Sequence, residues 1–219
     1  MNLLDFARGP ALEFALTVFV LGVLWRITAI ALLSFRRRYS EPRSGVALSL
    51  LRGVSVDATR SWPHREFIGR TGYGEALGYS YHIGLFIVIL AFAPHIAFFK
   101  SLLGVSWPAL PSSWIHLLAV LTLTLLIAVL FRRITHRVLR RLSNFDDYFS
   151  WLVTALVVVT GILATGHIGA RYEDLLAWHI LSVDLLLVWF PFGKLMHAFF
   201  IMPSRALNGY RLARKGAAS

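Results

Sequence analysis

The sequence contains no cysteine. That absence excludes disulfides, thiolate zinc sites, protein-bound iron–sulfur clusters and haem attached through thioether bonds. A redox cofactor carried here must hang on histidine or methionine, and there are only 3 methionines. Acidic residues are also scarce: 11 Asp and Glu stand against 22 Lys and Arg, and charged residues make up only 15% of the chain. There is no phosphate loop and no catalytic triad, and Gly72 and Gly74 in TGYG are too little for a nucleotide site. The start lacks the basic region and small-residue cleavage site of a signal peptide, and its first apolar run is too long for one, so it reads as a retained anchor. No internal repeat or low-complexity tract stands out.

What is present is apolar mass. Of 219 residues, 57% are hydrophobic and the mean hydropathy is +0.66. Soluble domains typically reach roughly 45–50% apolar residues, and a bilayer span needs about 20 in a row. Five runs of that kind lie at about residues 11–34, 79–99, 114–131, 148–165 and 175–200. They predict an all-α membrane protein, a bundle of five transmembrane helices in a single integral domain over 1–219, with a long loop at 35–78.

The positive residues are sorted by loop. The segment 35–80 holds eight Lys and Arg, 132–147 holds five and the tail after Phe200 holds four, seventeen together. The opposite side has three, Arg8, Lys100 and Arg171. Cytoplasmic loops carry the excess of Lys and Arg, so the N-terminus is expected outside and the C-terminus in the cytoplasm. The net charge of +11 is then explained by loop asymmetry and contact with lipid, with no nucleic acid involved. The basic loop 35–78 suggests a docking surface or a layer on the lipid head groups.

There are 8 histidines. His64 and His136 lie in basic loops and read as interfacial polar residues. The others matter more, because a polar side chain in hydrocarbon needs a partner and neutral imidazole is a common axial ligand of haem iron. On the expected topology His82 is near the inner face, and His95 lies about 20 Å further along at 1.5 Å per residue. His179 is near the outer face and His197 about 27 Å further in. His82 and His197 share the inner level, His95 and His179 the outer half. That is the layout of two stacked bis-histidine haems. On one continuous helix His179 and His197 also share a side, since eighteen residues at about 100° each make whole turns. His82 and His95 fall about 140° apart on an ideal helix, but Pro94 can kink or rewind that turn. His116 and His167, at the outer edge, compete with His95 as the second outer ligand.

Gly22, Gly84, Gly161 and Gly193 could admit flat porphyrins or serve ordinary helix packing. Arg26, in the inner half of the first span, and Lys194, one turn before His197, could neutralise the propionates of an inner haem; snorkelling to the interface is the plainer reading for Lys194. Asp184 is an intramembrane carboxylate, a functional candidate by default, either as a proton relay at a quinone site or as the partner of a basic residue on another span.

Several of these motifs together resemble a known family. VFVLGVLWR at Val18–Arg26, YHIGL at Tyr81–Leu85, and FPFGKLMH at Phe190–His197 with His179 eighteen residues earlier resemble the gamma subunit of respiratory nitrate reductase, a five-span dihaem cytochrome b. Span order and topology agree over most of the chain. The resemblance implies two haem b groups, the inner on His82 and His197, the outer with His179 as one ligand. It further implies exchange of electrons with the quinone pool near the outer face and an iron–sulfur partner subunit docked on the cytoplasmic side of a bacterial inner membrane. In the family the partner of His179 stands where this chain has Phe92; here the histidine comes one turn later, at His95. The loop at 35–78 also looks longer than in the nitrate reductase form. The shifted histidine argues against a standard nitrate reductase subunit, and relatives that serve heterodisulfide-reductase-like subunits or nickel–iron hydrogenases fit at least as well, which leaves the direction of electron flow open. Two other classes stay in view: a dihaem cytochrome b anchoring a periplasmic dehydrogenase or hydrogenase, which usually resembles a four-span bundle, and a haem-free scaffold or transporter whose histidines are polar links between helices.

Overall fold

A computed structural model describes residues 2–33, 45–59 and 65–216. His64 and the basic residues Arg36, Arg37, Arg38, Arg43 and Arg60 lie outside the described residues. In chain order the elements are α1 (Leu3–Phe6), a π-helical turn (Ala7–Ala11), α2 (Leu12–Leu33), α3 (Val46–Thr59), α4 (Ile68–Ala91), α5 (Ala93–Leu103), α6 (Ser112–Thr135), α7 (Arg137–Leu142), α8 (Phe145–Gly166), α9 (Tyr172–Trp189), a 3-10 turn (Lys194–Met196) and α10 (His197–Arg214). There is no strand among the described residues. Four helices are long and apolar enough to cross a bilayer, Leu3–Leu32, Ile68–Ala91, Ser112–Thr135 and Phe145–Gly166, and an interrupted pair, Tyr172–Trp189 with Lys194–Arg214, makes a fifth. The protein is a multi-pass helical membrane protein.

The ends of these spans differ from the hydropathy limits for local reasons. The first helix begins at Leu3, not at residue 11, because Asn2 and Asp5 form a capping box that satisfies exposed N–H groups of its first turn. It then stays helical across Pro10 by widening into the π turn at Ala7–Ala11. The second starts at Ile68 and ends at Ala91, because Phe92 is extended and Pro94 opens a separate helix, α5. Leu90 would give its carbonyl to the N–H of residue 94, which proline lacks; the Trp107 indole donates to it instead. The Leu110 N–H caps the next carbonyl, of Ala91, at 2.9 Å.

The fifth apolar run is not one helix. α9 stops at Trp189, and the helical path resumes only after Phe190–Gly193, a segment that contains Pro191. The expectation that His179 and His197 share one side of a single helix therefore fails: a count of turns has no meaning across a break.

The described chain forms two compact units, Met1–Val18 with Tyr73–Trp189, and Phe19–Gly72 with Phe190–Ser219. In the first unit α6, α8 and α9 pack in sequence, and the π turn lies on α9. α8 opens on a second capping box, Asn144 with Asp147. Asp147 also takes an ion pair from Arg133 at 2.9 Å, which ties the end of α6 to the start of α8. Along the spans the Trp151 indole donates to the Leu126 carbonyl at 2.8 Å and the Trp189 indole to Ser150 Oγ at 3.0 Å. A Cβ on Gly84 would collide with Thr122, itself buried, so this glycine is used for close approach of α4 to α6. Outside the spans, Arg171 binds Asp174 at 3.0 Å, and that carboxylate pushes its guanidinium above the ordinary arginine range.

The second unit is built on α3 against α10. Gly53 lets them touch: a Cβ there would lie 2.6 Å from the Ala206 carbonyl oxygen. Ser49, Gly209 and Ala213 are buried on the two helices, a seam of small residues. Phe19, Phe190 and Phe199 form an aromatic cluster with centroids 5.3–6.2 Å apart, and Gly22 makes room for the buried Pro191.

Candidate functional site

The first unit brings His95 and His179 together. Their ring centroids are 6.2 Å apart and their planes within 21° of parallel. Both are half-buried. His95 is there because of the break: set one residue after Pro94 at the start of α5, its Nδ1 reaches back to the Val88 carbonyl of α4 at 3.0 Å. His179 lies over Gly161 of α8, where a Cβ would come within 3.2 Å of Cε1, so any larger residue crowds the ring. Its Nδ1 meets Thr160 Oγ1 at 3.2 Å.

These hydrogen bonds set the tautomer. A carbonyl oxygen only accepts, so His95 Nδ1 carries the proton and donates it to Val88. Thr160 gives its own hydroxyl proton to the Leu156 carbonyl at 2.8 Å, which leaves its oxygen to receive the Nδ1–H of His179. In both rings the lone pair is then on Nε2, the arrangement found when an imidazole binds a metal through one nitrogen and is oriented by the other. Ser182 completes the support, 2.9 Å from Thr160 Oγ1 and donating to the His179 carbonyl at 2.7 Å.

The donor set fits an iron. Two imidazoles on one metal, with metal–nitrogen bonds of about 2 Å each, place their centroids roughly 6 Å apart. No group of three or more His, Asp and Glu that could hold a bare metal ion exists among the described residues. Two imidazoles alone are a small ligand set, so a metal held between them would need further ligands.

His82 lies on α4 in the first unit and His197 at the start of α10 in the second. Each shows the same local device: His82 Nδ1 donates to the Gly78 carbonyl at 2.7 Å and His197 Nδ1 to the Lys194 carbonyl at 2.8 Å. His82 is half-buried and His197 exposed. Arg26 stands in the second unit with its Nε buried and without a hydrogen-bond partner among the described residues. Lys194 is exposed on the 3-10 turn. Asp184 is buried on α9, and both its oxygens lack a hydrogen-bond partner among the described residues.

The remaining histidines have local tasks. His136 accepts from the Leu139 N–H as the N-cap of α7. His167 closes α8 in the left-handed conformation, φ 53°, and stacks on Tyr172 at 5.1 Å. His116 lies 3.2 Å from Thr165 Oγ1. Sequence reading misses Thr160 and Ser182; the only signal for them is a hydroxyl beside Gly161 and another three residues after His179.

No family model matches the chain, and no solved structure matches it. A protein of Nitratidesulfovibrio vulgaris, described only as "Protein", is 31% identical over 225 residues, covering 97% of this chain and 95% of its own length. The chain belongs to the family of that protein.

Proposed function

We propose that this chain is the membrane cytochrome b subunit of a respiratory complex, passing electrons between the quinone pool and a cytoplasmic iron–sulfur partner through two bis-histidine haems. The observation that carries the reading is the His95–His179 pair: 6.2 Å between ring centroids, both Nδ1 protons committed to oxygen acceptors. This pair would hold the outer haem. His82 and His197 would hold the inner one, with Arg26 suited to a propionate because its buried Nε lacks a partner among the described residues. Haem iron held there supplies one-electron transfer. The chain's own work is to orient four imidazoles through their Nδ1 protons, to exclude water with apolar spans, and to balance propionate charge.

The likeness to the gamma subunit of nitrate reductase supports an N-terminus outside, a C-terminus in the cytoplasm and a bacterial inner membrane. The position of His95, one turn beyond the family's usual ligand, favours a partner of the heterodisulfide-reductase-like or hydrogenase-linked kind. The test is a pyridine haemochrome assay with reduced-minus-oxidised spectra on the purified full chain. About two b haems per chain supports the proposal. A chain that remains colourless after expression with added haem overturns it in favour of a scaffold or transporter.

A further inference from the structure

α4 and α6 run antiparallel and meet at two glycines. Gly84 admits Thr122, and ten residues away on each helix Gly74 admits Arg132. A Cβ on Gly74 would lie 2.8 Å from Cζ, Nη1 and Nη2 of Arg132 alike, so the guanidinium lies flat against the glycine. Both residues are half-buried and belong to the first unit. Packing on one face holds the side chain in place and uses none of its N–H groups.

Arg132 and Arg133 stand side by side near the end of α6, and they are treated differently. Arg133 is neutralised by Asp147 at 2.9 Å and donates to Ser143 at 2.9 Å. Arg132 has no side-chain hydrogen bond and no ion pair among the described residues, although Glu75 follows Gly74 in sequence. Arg137, Arg140 and Arg141 on α7 are exposed and equally unpaired among the described residues. Uncompensated positive charge therefore gathers at one end of the first unit.

Depth decides what this charge meets. α6 starts at Ser112 and Arg132 lies twenty residues on, about 30 Å at 1.5 Å per residue. The hydrocarbon core is about 30 Å thick, so the guanidinium stands at its edge, beside the lipid phosphates. The exposed apolar residues Phe131, Val138, Leu142 and Phe145 lie among the arginines. That mixture suits an amphiphile with an anionic head and apolar tails, and it suits a soluble acidic peptide poorly.

We infer that the start of α4 and the end of α6 form a binding site for one anionic phospholipid, with Arg132, held by Gly74, donating paired N–H bonds to its phosphate. A guanidinium presents a planar fork that matches phosphate oxygens, and basic pockets between spans bind anionic head groups. Arg137, Arg140 and Arg141 add the positive field that separates a lipid of net negative charge from a zwitterionic one. The site uses no histidine and stands whether or not the chain binds haem.

The test is native mass spectrometry of the full chain, delipidated in an uncharged detergent, with added phosphatidylglycerol, phosphatidylcholine or inorganic phosphate. One phosphatidylglycerol per chain is expected to bind in preference to phosphatidylcholine. Arg132→Gln should weaken that binding at least about fivefold, the worth of one basic residue at an anionic membrane surface. Gly74→Ala keeps every charge and displaces only the end of a flexible side chain, so the fold persists while lipid binding weakens. Lys100→Gln removes the same charge from α5, and screening over the length of a span should hold its effect within about twofold. Equal retention of the two lipids, unchanged binding in Arg132→Gln, or the same loss in Lys100→Gln overturns the inference. Inorganic phosphate that binds as tightly as the lipid also overturns it and assigns a free anion. Loss of a haem in Arg132→Gln with lipid binding kept overturns it in favour of a cofactor carboxylate. Unchanged binding in Gly74→Ala overturns the positioning role of the glycine.

Discussion

The chain breaks two of its apolar runs, and the two breaks are made differently. At Phe92–Pro94 the freed backbone carbonyls of α4 are recaptured one by one: His95 takes Val88, Trp107 takes Leu90 and the Leu110 N–H takes Ala91. At Phe190–Gly193 the second unit relies on packing, with Pro191 seated against Gly22 and Phe190 clustered with Phe19 and Phe199. Both breaks deliver a histidine directly afterwards, and both histidines donate Nδ1–H to a nearby carbonyl. The helices that these histidines enter are not alike. His95 enters a short helix and meets His179 within its own unit, whereas His197 opens a longer helix whose last turn carries Arg211 and Arg214. A helix break thus serves as a way to aim an imidazole, by hydrogen bonds in one case and by packed rings in the other.

The strongest way to break the comparison is to remove the imidazoles. If the chain holds two haems as proposed, His95→Ala and His179→Ala are each expected to lower haem content from two to one per chain, with the double variant losing no more than either single one. His197→Ala should remove the other haem. If His95→Ala keeps two haems per chain, capping Val88 is the whole task of His95, and the first break aims nothing.

Filling the glycine contacts sharpens the contrast between the units at a lower level. Gly53→Leu drives a side chain into the Ala206 backbone, which cannot yield without moving α10, whereas Gly84→Ala meets the side chain of Thr122. Overpacking typically costs about 1–3 kcal/mol, with Gly53→Leu expected at the upper end and Gly84→Ala at the lower. Thermal unfolding in detergent reads the total. Limited proteolysis locates it, and Gly53→Leu should expose α3 and α10 while haem on His95 and His179 persists.

Much of this was legible in the sequence. The apolar runs mark the spans, and simple heights put His95 and His179 at a common level; the structure brings their rings together. What the runs hide are the interruptions. FPFG is as apolar as the helix before it, so hydropathy carries straight through Trp189 to His197 although Pro191 and Gly193 stop the helix. The start of the first helix is hidden for the opposite reason, since Asn2 and Asp5 are polar residues that act by capping. The tautomers of the histidines depend on carbonyls up to seven residues away, and the support from Thr160 depends on a contact between two helices. Neither leaves a mark in spacing.

Proline replacement separates aiming from stability at the first break. Pro94→Ala restores an N–H that can bond the Leu90 carbonyl, which releases Trp107 from it. Adding that bond while increasing the freedom of the unfolded chain leaves net stability within about 1 kcal/mol. The orientation of His95 should change far more, seen as loss or spectral shift of the outer haem at an almost unchanged melting temperature. Pro191→Ala is expected to do the reverse, because its ring is buried against Gly22. Truncating it leaves a small void and costs about 1–2 kcal/mol, with the outer haem spectrum retained.

The variant with the smallest expected effect on haem tests whether the first unit needs its polar clasp at all. Asp147 closes the capping box of α8 and holds Arg133 at 2.9 Å. Asp147→Ala removes both contacts. Loss of a helix cap costs typically about 1 kcal/mol, and a partly exposed ion pair adds at most about 1 kcal/mol more. Salt separates the two parts, since screening weakens the ion pair and leaves the capping hydrogen bond. The difference in melting temperature between wild type and Asp147→Ala should therefore shrink in high salt without vanishing. A difference that vanishes assigns the whole contribution to Arg133, while one that salt does not touch assigns it to the cap. Because the clasp lies at the end of the spans remote from His95 and His179, haem on that pair is expected to be unchanged. A lost outer haem in Asp147→Ala would mean that the register of α8, which carries Gly161 and Thr160, is set at that end of the helix rather than by its packing against α9.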